Sequence, residues 1–216
     1  MKNGCILPRR RSGVECRKKM KIDLILMAAG NSRRFGSNKL LYEWRGKKLY
    51  RYMLDALLEA AEGLPGVRVR VVTQYEEILK MVEELAKRKA PGFLTGVYSL
   101  ESVKGLSYTI RKALDFEAAD PPEAFAFFTA DTPGFSSSDI REFLEAFLAS
   151  GHPVACVRCG ETYGNPAVFS WKYAPLFQVL TGDQGGKKVL NQLLDDCFFY
   201  ELPEGSRRDI DTPEDL

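Results

Sequence analysis

The sequence predicts an α/β domain with a mostly parallel, twisted sheet flanked by helices. Three observations predict it. Two short apolar runs, IDLILMAA at residues 22–29 and AFAFFT at 124–129, read as strands buried on both faces. Segments with helical spacing of apolar residues stand between the strands, the order expected of βαβ units. The chain has 216 residues, 45% of them apolar and 28% charged, enough to bury a core without staples. No apolar run approaches the roughly 18 residues of a membrane span, so none is expected.

The elements follow in order. Residues 22–29 form the first strand and run into a loop at Gly30. Residues 48–62 place Leu49, Tyr52, Met53, Ala56, Leu57 and Ala60 at helical spacing, with Gly63 as a stop. VRVRVVT at 67–73 alternates and is β-branched, which predicts a strand. Residues 76–89 form a helix with Ile78, Leu79, Val82 and Leu85 on one face. A short strand or loop follows at Gly96–Leu100, then a helix at 106–116 opening after Gly105. The strand at 124–129 precedes a helix at Ser136–Ser150, with Ser136 or Ser137 available as N-cap. Beyond it, Val154–Val157, Ala167–Phe169 and Phe198–Leu202 read as strands, and Tyr173–Leu180 and Gly186–Leu194 as helices.

Charge is unevenly distributed. Residues 1–19 hold seven basic groups against Glu15, a net +6, so the chain's +2 leaves −4 for the remainder. The body is mildly acidic and offers no clustered basic surface for nucleic acid. Residues 1–20 read as a disordered basic extension, a basic arm for RNA or membrane being the alternative. Met20 is a plausible second start. Five cysteines and no export signal predict reduced thiols and a cytoplasmic protein. Cys156 and Cys159 form a C-x-x-C with no second ligand pair. A structural or incidental pair is therefore expected.

Sites in parallel sheets lie beyond the carboxyl ends of the strands. That logic brings the loop Ala28–Lys39 together with Ala130-Asp131, which follows the strand at 124–129. The loop reads Ala28-Ala29-Gly30-Asn31-Ser32-Arg33-Arg34-Phe35-Gly36-Ser37-Asn38-Lys39. Its small residues let backbone N–H groups approach a phosphate, and Arg34 and Lys39 add positive charge. It is neither a P-loop nor a dinucleotide fingerprint. Asp131, leaving a buried strand beside a phosphate loop, suits a hard cation bridging phosphates; a turn residue before Pro133 is the plainer alternative.

The pattern A-A-G-x-S-x-R-x-G-x-x-K resembles the signature loop of the molybdenum cofactor nucleotidyltransferases, part of a wider Rossmann-like superfamily. Lys104-Gly105-Leu106-Ser107, Thr129-Ala130-Asp131-Thr132-Pro133, Tyr163–Ser170, Thr181–Gly186 and Asp209–Leu216 are similar to the same family, in the same order. The resemblance covers residues 21–216 and implies a single Rossmann-like nucleotidyltransferase domain there. It implies transfer of CMP from CTP to the phosphate of molybdopterin, with release of pyrophosphate.

The roles it implies are these. Arg34, Lys39 and Asp131 are catalytic. Asp131 holds Mg²⁺, and Asp211 is a candidate second ligand, although capping before Pro213 explains Asp211 equally well. Ala28, Ala29, Gly30, Asn31, Ser32, Gly36, Thr73, Gly105 and Ser107 bind the nucleotide. Gly164, Asn165, Pro166, Asp183 and Gly185 bind the acceptor. CTP rather than GTP follows from A-A-G, since guanylyl enzymes resemble A-G-G. A molybdenum hydroxylase is a possible recipient partner. The alternatives left open are a GTP-dependent guanylyltransferase, a cytidylyltransferase with another phosphorylated acceptor, and a non-catalytic cofactor-delivery protein.

Overall fold

The computed structural model describes residues 20–32, 38–115 and 121–203. Arg34, Gly36, Asp209, Asp211 and the basic N-terminal segment lie outside the described residues. At the centre is β1 (Ile22–Met27), every residue of which is buried. Its alternation explains the two-sided core. Ile22, Leu24 and Leu26 face one hydrophobic layer, while Ile25 and Met27 face the other. Asp23 is the exception in an apolar run; it is 3% exposed and accepts from Arg68 Nε at 2.6 Å.

The remaining large elements are α1 (Leu49–Ala61), β4 (Val67–Thr73), α2 (Glu76–Ala86), β5 (Leu94–Tyr98), α3 (Leu106–Ala113), β6 (Ala124–Thr129), α4 (Ser137–Ser150), β7 (Val154–Cys159), β8 (Thr162–Ser170), α5 (Ala174–Gln178), α6 (Gly186–Leu190) and β9 (Cys197–Glu201). Seven strands form one sheet in the order β5-β4-β1-β6-β8-β7-β9. Only β8 runs antiparallel to its neighbours, β6 and β7. The other pairings, β1 with β4 and β6, β4 with β5, and β7 with β9, are parallel. Helices α1, α2 and α4 cover one face, and α3, α5 and α6 the other.

Local chemistry accounts for the boundaries. Ser136 caps α4: its Oγ accepts from Asp139 N, and the Asp139 carboxylate accepts from Ser136 N, a reciprocal capping box. β1 ends two residues before the run of apolar residues does; Ala28 N still donates to Val72 O at 2.9 Å, and both Ala28 and Ala29 stay buried. A two-stranded ribbon, β2 (Glu43–Trp44) with β3 (Lys47–Lys48), escaped the sequence reading. Its turn is Arg45-Gly46, both at positive φ, which matches the right-handed twist of the flanking strands.

β8 is longer than the three residues expected of it. It carries two extra residues, Asn165 and Pro166, between Gly164, which faces Val157, and Ala167, which faces Cys156. Proline cannot donate to a strand ladder, so it sits where the ladder is interrupted. The Asn165–Pro166 peptide is cis. Among the described residues no helix is long and apolar enough to cross a membrane.

Candidate active site

The carboxyl ends of β1 and β6 are adjacent in the sheet, with Met27 opposite Thr129. The loops leaving them therefore meet. Asp131 follows β6 across a tight turn in which the Thr129 and Thr132 hydroxyls lie 2.7 Å apart. Lys39 enters from the first loop, on a short 3-10 turn, Lys39–Leu41, capped by the Asn38 side chain. Lys39 Nζ donates to Asp131 Oδ2 at 2.7 Å, and the two side chains are 10% and 26% exposed. A charge pair this sheltered from water is positioned rather than incidental. Asp131 Oδ1 has no hydrogen-bond partner among the described residues.

The backbone of the first loop is held from behind. Gln74 Nε2 donates to Ala29 O at 2.6 Å and to Asn31 Oδ1 at 2.9 Å. Tyr75 Oη donates to Gly30 O at 2.6 Å. Burial pushes the Tyr75 phenol above its ordinary pKa, so it stays a donor. Asn31 Nδ2 donates in turn to Val103 O at 3.1 Å, and Lys39 N to Ser32 Oγ at 3.1 Å. Ser32 sits at φ 48, a left-handed conformation that side chains other than glycine seldom adopt and that concentrates at functional loops. With their carbonyls tied outward, Ala29 and Gly30 border a cleft of about 410 Å³ together with Asn31, Ser32, Lys39, Asp131 and Asp183.

The opposite wall joins two distant stretches of sequence. Ser107 N donates to Gly182 O at 3.0 Å. Gly105 approaches so closely that an added Cβ would lie 2.5 Å from that same oxygen. Ser102 and Thr109 face the cleft, linked by a bond from Thr109 Oγ1 to Ser102 Oγ at 2.8 Å. A second cavity, of about 550 Å³, shares Leu106, Thr129 and Asp131 with the first and extends to Gly164, Asn165, Gly185 and Lys187. Asp131 thus stands at the junction of two cavities.

Several residues singled out in the sequence converge here: Ala29, Gly30, Asn31, Ser32, Lys39, Asp131 and Asp183 on the first cleft, and Gly164, Asn165 and Gly185 on the second. Asp183 borders the first cleft, whereas Gly164, Asn165 and Gly185, expected beside it, border the second. Ala28, Thr73, Gly105, Ser107 and Pro166 border neither cavity. Ala28 is fully buried. Thr73 is fully buried too, and its Oγ1 accepts from Tyr75 N at 3.0 Å to shape the turn that carries Gln74 and Tyr75. Ser107 is buried with an Oγ that has no partner. Gln74, Tyr75, Ser102 and Thr109 were missed. Only their positions after a strand end or on a helix face could have signalled them, and many residues share that signal.

Cys156 and Cys159 point apart. Cys156 is buried against Cys197, with the sulfurs 3.7 Å apart, while Cys159 Sγ faces Pro203 O. The Cys156–Cys197 contact, together with burial, pushes the Cys156 thiol above its ordinary pKa. Among the described residues no cluster of three or more His, Cys, Asp or Glu side chains is arranged to hold a metal. Mg²⁺ commonly takes only one or two carboxylates, with substrate phosphates and water completing its shell, and Asp131 fits that pattern.

The small-residue loop, the ion-paired carboxylate at a strand end and the second cavity sharing that carboxylate all meet at the carboxyl ends of β1 and β6. Residues 24–197 match the MobA-like NTP transferase domain, and the chain belongs to that family. A probable molybdenum cofactor guanylyltransferase of Bacillus licheniformis is 31% identical over 101 residues, 45% of this chain. That match spans about half of the relative's length, 48%. Rv0371c of Mycobacterium tuberculosis H37Rv has the same fold, with a TM-score of 0.69 and 19% identity over 92% of this chain and 96% of that one. It has also been solved in complex with manganese. A nucleotidyl transferase of Methanothermobacter thermautotroptrophicus aligns with a TM-score of 0.66 and 18% identity, over 92% of this chain and 94% of its own.

Proposed function

We propose that this nucleotidyltransferase moves CMP from CTP to the phosphate of a molybdopterin-type acceptor, with Mg²⁺ as its metal. The observation that carries the reading is Asp131, which borders both cavities and is paired with Lys39. A group that binds in one cavity can react with a group bound in the other only there. The new bond forms between an acceptor phosphate oxygen and the α-phosphorus. The bond to the bridging oxygen breaks, and its electrons leave with pyrophosphate. A phosphate is already a nucleophile, so no covalent enzyme intermediate is needed and positioning and charge carry the catalysis.

In this reading Lys39 neutralises the departing pyrophosphate, assisted by Arg34. The N–H groups of the loop at Ala29, Gly30 and Ser32, whose backbone the Gln74 and Tyr75 bonds hold in place, receive triphosphate oxygens. Asp131 would hold Mg²⁺, with Asp211 as a further ligand, and the ion would supply charge neutralisation for the nucleotide phosphates. Thr73, Gly105 and Ser107 act on the nucleotide indirectly, by shaping the walls. Supporting CTP is Ala29, which borders the cleft where the loop of guanylyl enzymes resembles A-G-G. The GTP reading draws its support from the name of the Bacillus relative. A molybdenum hydroxylase is the proposed recipient of the product.

Pyrophosphate release measured with CTP, GTP, ATP and UTP, each with and without molybdenum cofactor, tests the proposal. The highest kcat/KM is expected with CTP. Removing one methyl group from a binding wall changes discrimination by about 10-fold or more, so Ala29→Gly should raise GTP use relative to CTP on that scale. Preference of the wild type for GTP overturns the nucleotide assignment. No cofactor-dependent release with any nucleotide overturns the acceptor.

A further inference from the structure

The second cavity contains one cation among its described lining residues, Lys187. Its ammonium lies 4.9 Å from the centroid of the Tyr163 ring, inside the range over which a ring face attracts a cation. The ring is itself fixed. Tyr163 Oη donates to Asn191 Oδ1 at 3.1 Å, and the ring meets Phe199 at 79° with centroids 5.8 Å apart. Lys187 has no carboxylate within ion-pairing distance among the described residues, whereas its neighbour Lys188 is engaged by Gln184 Oε1 at 3.1 Å.

The cavity also has a charge problem. Its one carboxylate among the described lining residues is Asp131, at the end where the chemistry falls. An acceptor that brings its own phosphate to that end needs a positive charge besides Lys39, which pairs with Asp131 and in this reading faces the departing pyrophosphate. A cation held over an aromatic face, without a competing carboxylate, is free to meet an anion while losing little side-chain entropy. Tyr163 pairs regularly with Arg158, one residue before the Gly164–Ala167 stretch where β8 departs from regular pairing with β7, and it borders the cavity.

We infer that Lys187, held over the Tyr163 ring, recognises the phosphomonoester of the acceptor, with Tyr163 as its positioning residue. The inference rests on the nucleotidyl-transfer reading above and adds how the acceptor is selected: it is taken up because of its phosphate, and its dephosphorylated form is rejected. The nucleotide's own phosphates are a competing target for Lys187, and the test separates the two.

Fluorescence titration with a phosphorylated pterin and its dephosphorylated counterpart reads binding without turnover. The wild type should prefer the phosphorylated form by about tenfold or more, the scale of one charge-assisted hydrogen bond. Lys187→Ala should lose that preference and Lys187→Arg should regain much of it. Tyr163→Phe keeps the ring and should behave as wild type, whereas Tyr163→Leu should weaken the preference. In steady state Lys187→Ala should raise KM for the acceptor about tenfold and leave KM for CTP nearly unchanged. Retained phosphate preference in Lys187→Ala, or an equal rise in KM for CTP, overturns the inference alone. A wild type that binds neither pterin overturns the acceptor reading and this inference with it.

Discussion

A methyl group added at Gly30 would touch none of the described residues within 4 Å. Packing against those residues therefore does not require glycine at this position, and Gly30 borders the cleft. That separates a residue kept for the ligand from one kept for the chain. Gly30→Ala should leave the melting temperature unchanged or slightly raised, since it removes freedom from the unfolded chain without strain. KM for the nucleotide should rise about tenfold, because a Cβ would occupy the approach of a phosphate to the backbone. Calorimetric melting and initial rates check both halves, and an unchanged KM would place the triphosphate elsewhere. Gln74 and Tyr75 act at the same scale, fixing the carbonyls of Ala29 and Gly30.

At the scale of elements, the decisive contact is that of the start of α3 with the turn at Gly182. Gly105 has φ 139 and ψ 169, a conformation nearly confined to glycine. A Cβ there would meet the backbone of Gly182 at 2.5 Å and the Asp183 side chain at 2.9 Å. Gly105→Ala should cost about 3 kcal/mol or more, combining backbone strain and clash. For a chain of this size that is a fall of roughly 6–12 °C in melting temperature. Cleft binding should weaken with it, because Leu106 and Asp183 border the cleft from these two segments.

The same contact shows what the sequence could and could not disclose. Strands such as Val67–Thr73 and Ala124–Thr129 were legible to the residue, because two-sided burial demands continuous or β-branched apolar runs. The meeting of Lys39 with Asp131 was legible because loops that leave adjacent parallel strands share one end of the sheet. The ribbon at Glu43–Lys48 is too short for periodicity to register. The role of Gly182 as anchor for Ser107 depends on a pairing across 75 positions of sequence, which no local pattern encodes. Asp183 was grouped with the acceptor residues for the same reason: its motif was visible, but the cavity it borders is set by tertiary packing.

For the whole molecule, the two cavities meeting at one carboxylate make binding and stability a single measurement. A nucleotide that binds only the folded chain stabilises it by about 2.7 kcal/mol at a hundredfold excess over Kd, or roughly 5–11 °C here. With CTP and Mg²⁺ the melting temperature should rise on that scale, and chelating the metal should remove most of the rise. Asp131→Asn keeps the shape but loses the charge that holds a hard cation. Its turnover should fall about 10²-fold or more, and its thermal shift with CTP should no longer depend on Mg²⁺. The Asp131 carboxylate lies against Lys39, whose side chain is 10% exposed. Removing its charge partner should therefore cost about 1–2 kcal/mol and lower the melting temperature by roughly 2–8 °C. Near-normal turnover in this variant at saturating Mg²⁺ would move the metal away from the junction. Collapse of the fold would make Asp131 a structural residue first, because its pairing with Lys39 would then be holding the first loop to the end of β6 rather than preparing a site for phosphate.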